Sequence, residues 1–228
     1  TAIRGFAATW PDSAGQALRN TPQVASIEQD QTVSLTQAQA NATWGLDRID
    51  QAARPLDTLY NYAQTGAGTY AFIVDTGIRA DHQEFAGRVQ AGATAISDGR
   101  GTEDCNGHGT HVAGTVGGST WGVAKQVTLV PVRVLNCRGS GSWSGIIAGL
   151  DYVAQDSRRP AVANMSLGGG YSATVNAAVA GAVANRVTVV VAAGNSTADA
   201  CKYSPASEPS ALTVGATTSA DAGASYSN

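Results

Sequence analysis

The stretch YAFIVDTGI at residues 70–78 decides the fold, because its apolar run ends at a carboxylate, Asp75, and a glycine turn. Short apolar runs of this kind are typical of strands buried in a parallel sheet. Further strands are predicted at 127–135, 161–164, 187–192 and 212–215, with helices between them at 108–116, 142–155 and 173–185. Strands that alternate with helices predict an α/β domain with a mostly parallel sheet.

Polar residues follow several of these predicted strands. Asp75 ends the first, Asn164-Met165-Ser166 lies at the end of the third, and Gly194-Asn195 comes after the fourth. Ligand sites in such sheets lie outside the carboxyl ends of the strands. The pattern therefore predicts one functional edge that carries a carboxylate and an amide.

Composition excludes several classes of protein. The 228 residues are 43% hydrophobic and 14% charged, which is typical of a folded globular chain. A net charge of -3 without a basic run argues against a nucleic-acid or anionic-membrane surface. No apolar stretch approaches the roughly 18–20 residues that a membrane span needs.

The N-terminal segment, residues 1–36, differs from the rest. It contains a helix-like stretch at 13–20, an alternating strand-like stretch at 24–28, and a polar segment at 29–43 that reads as an exposed connector. The chain begins with threonine and without a leader peptide, and we expect it to be cut at both ends.

Three cysteines, at positions 105, 137 and 201, show no C-x-x-C spacing. In a secreted protein an odd count indicates a free thiol or a partner elsewhere. Three thiols in a cytosolic protein is the alternative. A bridge from Cys105 to Cys137 would close a loop of about 33 residues and contribute about 3–4 kcal/mol in the chain-entropy model.

Two motifs have alternative interpretations. Asp75-Thr76-Gly77 also marks aspartic peptidases, but these need two such carboxylates and no second motif occurs. His108 and His111 are spaced like metal ligands on a helix, but no third ligand accompanies them. His108 between two glycines fits a general base better, with Asp75 holding its tautomer; His111 is interpreted as a packing residue.

Four ordered motifs carry a family resemblance. They are IVDTGI at 73–78, GHGTHVAG at 107–114, NMSLGG at 164–169 and AAGN at 192–195. They resemble the subtilisin superfamily of serine peptidases, and more narrowly its proteinase K-like branch. Cys105 and Cys137 are similar to a pair in aqualysin-type bacterial enzymes. The fold implied is a three-layer subtilisin-like α/β fold, incomplete at the C-terminus and preceded by a partial α+β prodomain.

The resemblance implies roles for the catalytic residues. Asp75 orients the imidazole, His108 transfers the nucleophile's proton, and Asn195 donates to the oxyanion. Two edges are expected to pair with an extended substrate strand, with Trp143 walling a hydrophobic pocket; Trp143 packing on the surface is the alternative. These substrate-binding residues are Gly139, Ser140, Gly141, Trp143, Ser166, Leu167, Gly168 and Gly194.

The resemblance also implies a disulfide, a calcium site and a division of the chain. The disulfide is Cys105–Cys137. The carbonyls of Pro209 and Ala211 match a structural calcium site, and no cofactor is expected for catalysis. Residues 1–36 are similar to the C-terminal part of an inhibitory prodomain, and 37–228 to the N-terminal part of the peptidase domain, so that the mature enzyme begins near Gln37 or Ala38.

The family's nucleophile lies in a Gly-Thr-Ser-Met-Ala run, and these 228 residues contain none. The resemblance implies the function of a secreted, zymogen-derived serine endopeptidase. Because the nucleophile is missing, this chain is expected to be a fragment that is nearly inactive alone. A catalytically dead peptide-binding protein is the alternative. Dinucleotide binding is excluded, because no G-x-G-x-x-G follows a strand. Expected partners are protein and peptide substrates and the protein's own prodomain, with no nucleic acid, no membrane and a monomeric state.

Overall fold

The computed structural model describes residues 8–28 and 37–228. The chain divides into two compact units, Thr1–Thr36 and Gln37–Asn228. In the first, helix α1 spans Asp12–Arg19 and follows Pro11, whose extended backbone suits the residue before a helix. The alternating stretch 24–28 forms no strand, so that prediction is wrong. Alternation does not make a strand without a pairing partner, and the described residues of this unit provide none.

The second unit contains every strand of the described chain. Its strands are β1 (Gln37–Ala40), β2 (Leu59–Tyr62), β3 (Tyr70–Asp75), β4 (Ala93–Thr94), β5 (Thr128–Arg133), β6 (Ala161–Met165), β7 (Gly169–Gly170), β8 (Val187–Ala192), β9 (Tyr203–Ser204) and β10 (Leu212–Val214). Its α-helices are α2 (Trp44–Ile49), α3 (His108–Gly117), α4 (Trp143–Gln155) and α5 (Ala173–Ala184), and a 3-10 turn spans Ala200–Lys202.

Six strands form one parallel sheet in the order β10-β8-β6-β3-β5-β4. The predicted mostly parallel α/β fold is confirmed, as are the five predicted strands and three predicted helices of this unit within a few residues. The polar segment 29–43 is only partly a connector. Its residues 37–40 form β1, which pairs antiparallel with β2, while 29–36 lie outside the described residues.

Side chains on opposite sides of β3 belong to two separate apolar cores. Phe72 and Val74 pack with α4 and α5, whereas Ala71 and Ile73 pack with α3. This alternation follows from the period of two along a strand, and it produces helix, sheet and helix layers. Among the described residues, no helix is long and apolar enough to cross a membrane.

Candidate active site

Asp75 and His108 meet at the carboxyl end of β3. Asp75 is the last residue of the strand and its side chain is fully buried, whereas His108 is the first residue of α3 and its side chain is 49% exposed. Asp75 Oδ1 lies 2.7 Å from His108 Nδ1 and also accepts a hydrogen bond from the Thr76 amide. An Nδ1–H that donates to the carboxylate leaves Nε2 as the acceptor, which is the tautomer a general base requires.

The second oxygen of Asp75 has no protein partner within the described chain. Oδ2 is buried and accepts no hydrogen bond there. A buried carboxylate is costly unless it is paired, so the His108 ring is a principal compensating group for its charge. The His108 ring therefore lies directly against a buried negative charge.

Two glycines let α3 begin directly against the turn after β3. A side chain at Gly109 would place its Cβ 2.2 Å from the carbonyl oxygen of Gly77, and one at Gly77 would meet the carbonyl of Thr102 at 2.4 Å. Gly77 also has a φ of 107°, a conformation that glycine adopts without strain. Thr76 Oγ1 accepts from the Gly109 amide at 2.8 Å. This close approach brings His108 within reach of Asp75.

Asp104 ties the loop before His108 to this turn, and the sequence did not identify it. Its carboxylate accepts hydrogen bonds from the Thr76 hydroxyl, the amides of Asn106, Gly107 and Thr110, and the Thr110 hydroxyl. Burial alone would raise the pKa of Asp104, but the bonds from Thr110, Gly107 and Asn106 outweigh it and hold the pKa below its usual range. The bond from the Asn106 amide, two residues along the chain, forms an Asx turn, a common arrangement for aspartate. The tendency of aspartate to form this turn was the one signal in the sequence that could have pointed to Asp104.

We predict that Asp104→Asn destabilises the fold in a pH-dependent way. The lowered pKa means that the carboxylate stabilises the folded state above its unfolded pKa of about 3.9, and that this stabilisation is lost as the pH falls through the lower folded value. Urea unfolding at pH 7 should show a loss of about 3 kcal/mol. The difference between variant and wild type should shrink at pH 3; a pH-independent difference would contradict this assignment.

A cleft of about 820 Å³ lies beside His108. Most of the predicted substrate-binding residues line it on two sides: Gly139, Ser140, Gly141 and Trp143 on one, and Ser166, Leu167 and Gly168 on the other. Trp143 is half-buried and lies against Gly169, where an added Cβ would be 2.7 Å from the ring. The ring is thus both a packing residue and a wall of the cleft.

Asn195 and Gly194 are not among the residues that line this cleft. They follow β8, which is separated from β3 by β6 in the sheet, and so they lie farther along the same carboxyl edge. Asn195 is exposed, and its side-chain amide has no hydrogen-bond partner in the described part of the chain. The amide is therefore available to a ligand at this edge.

The Cys105–Cys137 disulfide joins the histidine loop to the cleft. Cys105 lies three residues before His108, and Cys137 lies two residues before Gly139. The fully buried Arg133 supports the same loop. Its guanidinium donates to both oxygens of Asp98, at 2.8 and 2.6 Å, and lies 3.3 Å from Cys105 Sγ. The bond from Arg133 lowers the pKa of Asp98 to about 2. Within residues 8–28 and 37–228, Cys201 has no disulfide partner.

We predict that losing this disulfide destabilises the fold by about 3–4 kcal/mol, since it closes a long loop in the unfolded chain. The variant is Cys105→Ala with Cys137→Ala, measured by urea unfolding. The matched control is Cys201→Ala, which removes an exposed free thiol and should change the free energy of unfolding by no more than about 0.5 kcal/mol. Equal losses in both proteins would show that the bond does not contribute in this way.

The calcium prediction rests on two backbone carbonyls. Pro209 and Ala211 lie in the turn after Glu208, and calcium takes about six to eight oxygen ligands. Within the described residues, the one cluster of three potential side-chain ligands is Asp98 with Cys105 and Cys137, whose sulfurs are already bonded to each other. Calcium at Pro209 and Ala211 therefore stays a prediction that needs further oxygen ligands.

The sequence model of the subtilase family (Peptidase S8) matches residues 66–228. The chain belongs to the subtilase family. It is 60% identical over 227 residues to the extracellular serine proteinase of Thermus sp. (strain Rt41A). The aligned region covers all of this chain and 55% of that protein. It is 52% identical to the alkaline serine exoprotease A of Vibrio alginolyticus, over 99% of this chain and 43% of that protein.

A solved structure agrees with this assignment. The chain superposes on a cold adapted subtilisin-like serine proteinase with a TM-score of 0.81 and 55% identity, over 83% of this chain and 69% of that one. Proteinase R of Parengyodontium album is 48% identical, over 99% of this subtilase chain and 59% of the relative. The chain thus spans about half the length of the curated relatives it matches. The predicted family and its three-layer fold are confirmed.

Proposed function

We propose that this chain carries the aspartate, the histidine and the oxyanion-binding amide of a secreted serine endopeptidase. The observation that carries the proposal is the 2.7 Å contact between a fully buried Asp75 carboxylate and a half-exposed His108 ring, beside a large cleft. The family and the names of the relatives support the same reaction class. The cleft's two glycine- and serine-rich edges suit the pairing of a peptide strand.

The proposed steps follow the hydrogen-bonding capacity of these groups. His108 Nε2 accepts the proton of a serine hydroxyl as that oxygen attacks the peptide carbonyl, and His108 later returns the proton to the leaving amine. Asp75 holds the Nδ1–H tautomer and stabilises the imidazolium between these steps. Asn195 donates a side-chain N–H to the negative oxygen of the tetrahedral intermediate.

The attacking serine is proposed to come from outside residues 1–228. Within the ranges 8–28 and 37–228, no serine or threonine hydroxyl is hydrogen-bonded to the His108 ring. The chain also covers only about half of its relatives. The 228 residues alone should then be slower than the complete enzyme by about 2 × 10⁶ in kcat, the loss known for removal of the serine from subtilisin itself.

Residues 1–36 are proposed to be the C-terminal part of a prodomain that inhibits the enzyme within the same molecule, and residues 37–228 the start of the peptidase domain. The division into compact units at 36/37 supports this boundary. Secretion is supported by the disulfide, since such bonds persist in oxidising compartments. Mass spectrometry of the secreted enzyme should find an N-terminus near Gln37 or Ala38; a mature protein that keeps residues 1–36 would contradict the boundary.

The function is tested by comparing the 228-residue chain with the product of its whole reading frame. A folded protein substrate is digested, and the new termini are identified by mass spectrometry. The whole product should cut internal bonds, while the 228-residue chain should give no cleavage above background. Cleavage confined to substrate ends would favour an exopeptidase. Binding of peptides without any cleavage by the whole product would favour the catalytically dead binding protein.

A further inference from the structure

The loop that carries Asn195 is held almost entirely by the segment at residues 214–228. The Ala193 amide donates to the Val214 carbonyl at 2.8 Å, and the Thr197 amide donates to the Tyr226 carbonyl at 3.0 Å. Asn195 itself makes no hydrogen bond within the described ranges. Its position therefore depends on how firmly its neighbours in the loop are fixed.

Asn228 contacts this loop on both sides of Asn195. Its side-chain Oδ1 accepts from the amides of Ser196 and Ala198, at 2.7 and 3.1 Å. Its Nδ2 donates to the Ala193 carbonyl at 3.0 Å, and its backbone amide donates to the Gly194 carbonyl at 3.1 Å. One residue thus makes four hydrogen bonds to the segment 193–198, two before Asn195 and two after it.

Gly194 and the Asn228 amide fit closely against each other. A Cβ on Gly194 would lie 2.3 Å from Asn228 Nδ2, and Gly194 has a φ of 117°. Glycine is thus required at 194 both for its backbone conformation and for the space that the amide occupies. This arrangement fixes the direction in which the chain leaves Gly194 and enters Asn195.

We propose that Asn228 is a positioning residue for the oxyanion-binding amide of Asn195. The inference rests on the proposed function. An oxyanion donor contributes only when it is held in place before charge develops, and a misplacement of about 1 Å can cost about 100-fold in rate. A carboxamide suits the task because it offers a donor to Ala193 and an acceptor to Ser196 and Ala198 at once.

A carboxylate at 228 would retain the acceptor but lose the donor. In Asn228→Asp, an anionic oxygen would face the Ala193 carbonyl, and the two acceptors would repel each other. The loop should shift while the shape of the side chain is conserved. Asn228→Asp therefore separates the hydrogen-bonding role from the filling of space, which Asn228→Ala removes as well.

The test is a double-mutant cycle in the whole reading-frame product, with kcat and KM measured on a peptide substrate. Asn228→Ala and Asn228→Asp should each lower kcat by about 10–100-fold, with KM nearly unchanged, because the contact acts on the transition state. Asn195→Ala should remove the benefit of Asn228, so that Asn195→Ala with Asn228→Ala is no slower than Asn195→Ala alone. The matched control is Thr218→Ala, which loses a bond from the Ala220 amide but none to the loop or to Asn228, and it should retain kcat.

Each result decides the matter. If Asn195→Ala is slow but both Asn228 variants retain kcat, this inference is wrong and the proposed function stands. If the effects of the two sites multiply in the double variant, Asn228 acts independently of Asn195 and the inference is again wrong. If the wild-type product cleaves no peptide, the proposed function fails and this inference with it. Thermal unfolding of every variant separates a loss of fold from a loss of kcat.

Discussion

His108→Ala in the whole reading-frame product is expected to lower kcat by about 10⁶, the size of the loss known for the histidine of subtilisin. The half-exposed ring lines the cleft, and its Nδ1 lies 2.7 Å from Asp75 Oδ1, so that a proton on Nδ1 leaves Nε2 as the acceptor. Alanine removes the group that accepts and returns the proton. KM for a peptide substrate should change little, because the two edges of the cleft remain.

The matched control for this prediction is His111→Ala. His111 lies one turn along α3 from His108, is exposed, and is absent from the residues that line the cleft. Its loss should leave kcat close to the wild-type value. If the two alanine variants were equally slow, the effect would come from the helix and not from the His108 ring.

Asp75→Asn is expected to lower kcat by about 10⁴, as the corresponding change does in chymotrypsin-type triads. The amide presents an N–H where the carboxylate accepted one, and so it favours the tautomer with the proton on Nε2. That tautomer cannot accept the serine proton. The amide also cannot stabilise the imidazolium that forms during the reaction.

The control for Asp75 is Asp81→Asn. Asp81 has a highly exposed side chain and pairs with Arg79 at 2.9 Å, a surface contact of about 0–1 kcal/mol. Its replacement should leave kcat unchanged. A loss of less than tenfold in Asp75→Asn at neutral pH would mean that the carboxylate does not set the tautomer of His108.

Much of the fold followed from the sequence because its strands are short, apolar and buried on both faces. The apolar run at 70–75 is typical of a strand inside a parallel sheet. The carboxylate of Asp75 at its end predicted a functional site at the carboxyl edge of that sheet. The proximity of Asp75 and His108 was predictable for the same reason, since one follows a central strand and the other begins the next helix. Of the two glycines beside His108, Gly109 lies at a close backbone approach, whereas a Cβ added at Gly107 would contact nothing within 4 Å.

The remaining features depend on partners that are distant in the chain. The stretch 24–28 has the alternation of a strand, but no strand pairs with it in the described residues. The stretch 37–40 lacks apolar character and yet forms β1, because it pairs antiparallel with β2. Asn228 is 33 residues from Asn195 and belongs to no motif that was singled out. Contacts of this kind depend on tertiary packing, which outweighs local pattern.

The role of His108 in activating a serine is tested by labelling the active whole reading-frame product with a fluorophosphonate, which reacts with a serine activated by a neighbouring base. The modified residue is then mapped by mass spectrometry. We expect a single labelled serine outside residues 1–228, and no labelling when His108 is replaced by alanine. A label on a serine within residues 1–228, or labelling that persists in His108→Ala, would contradict this expectation.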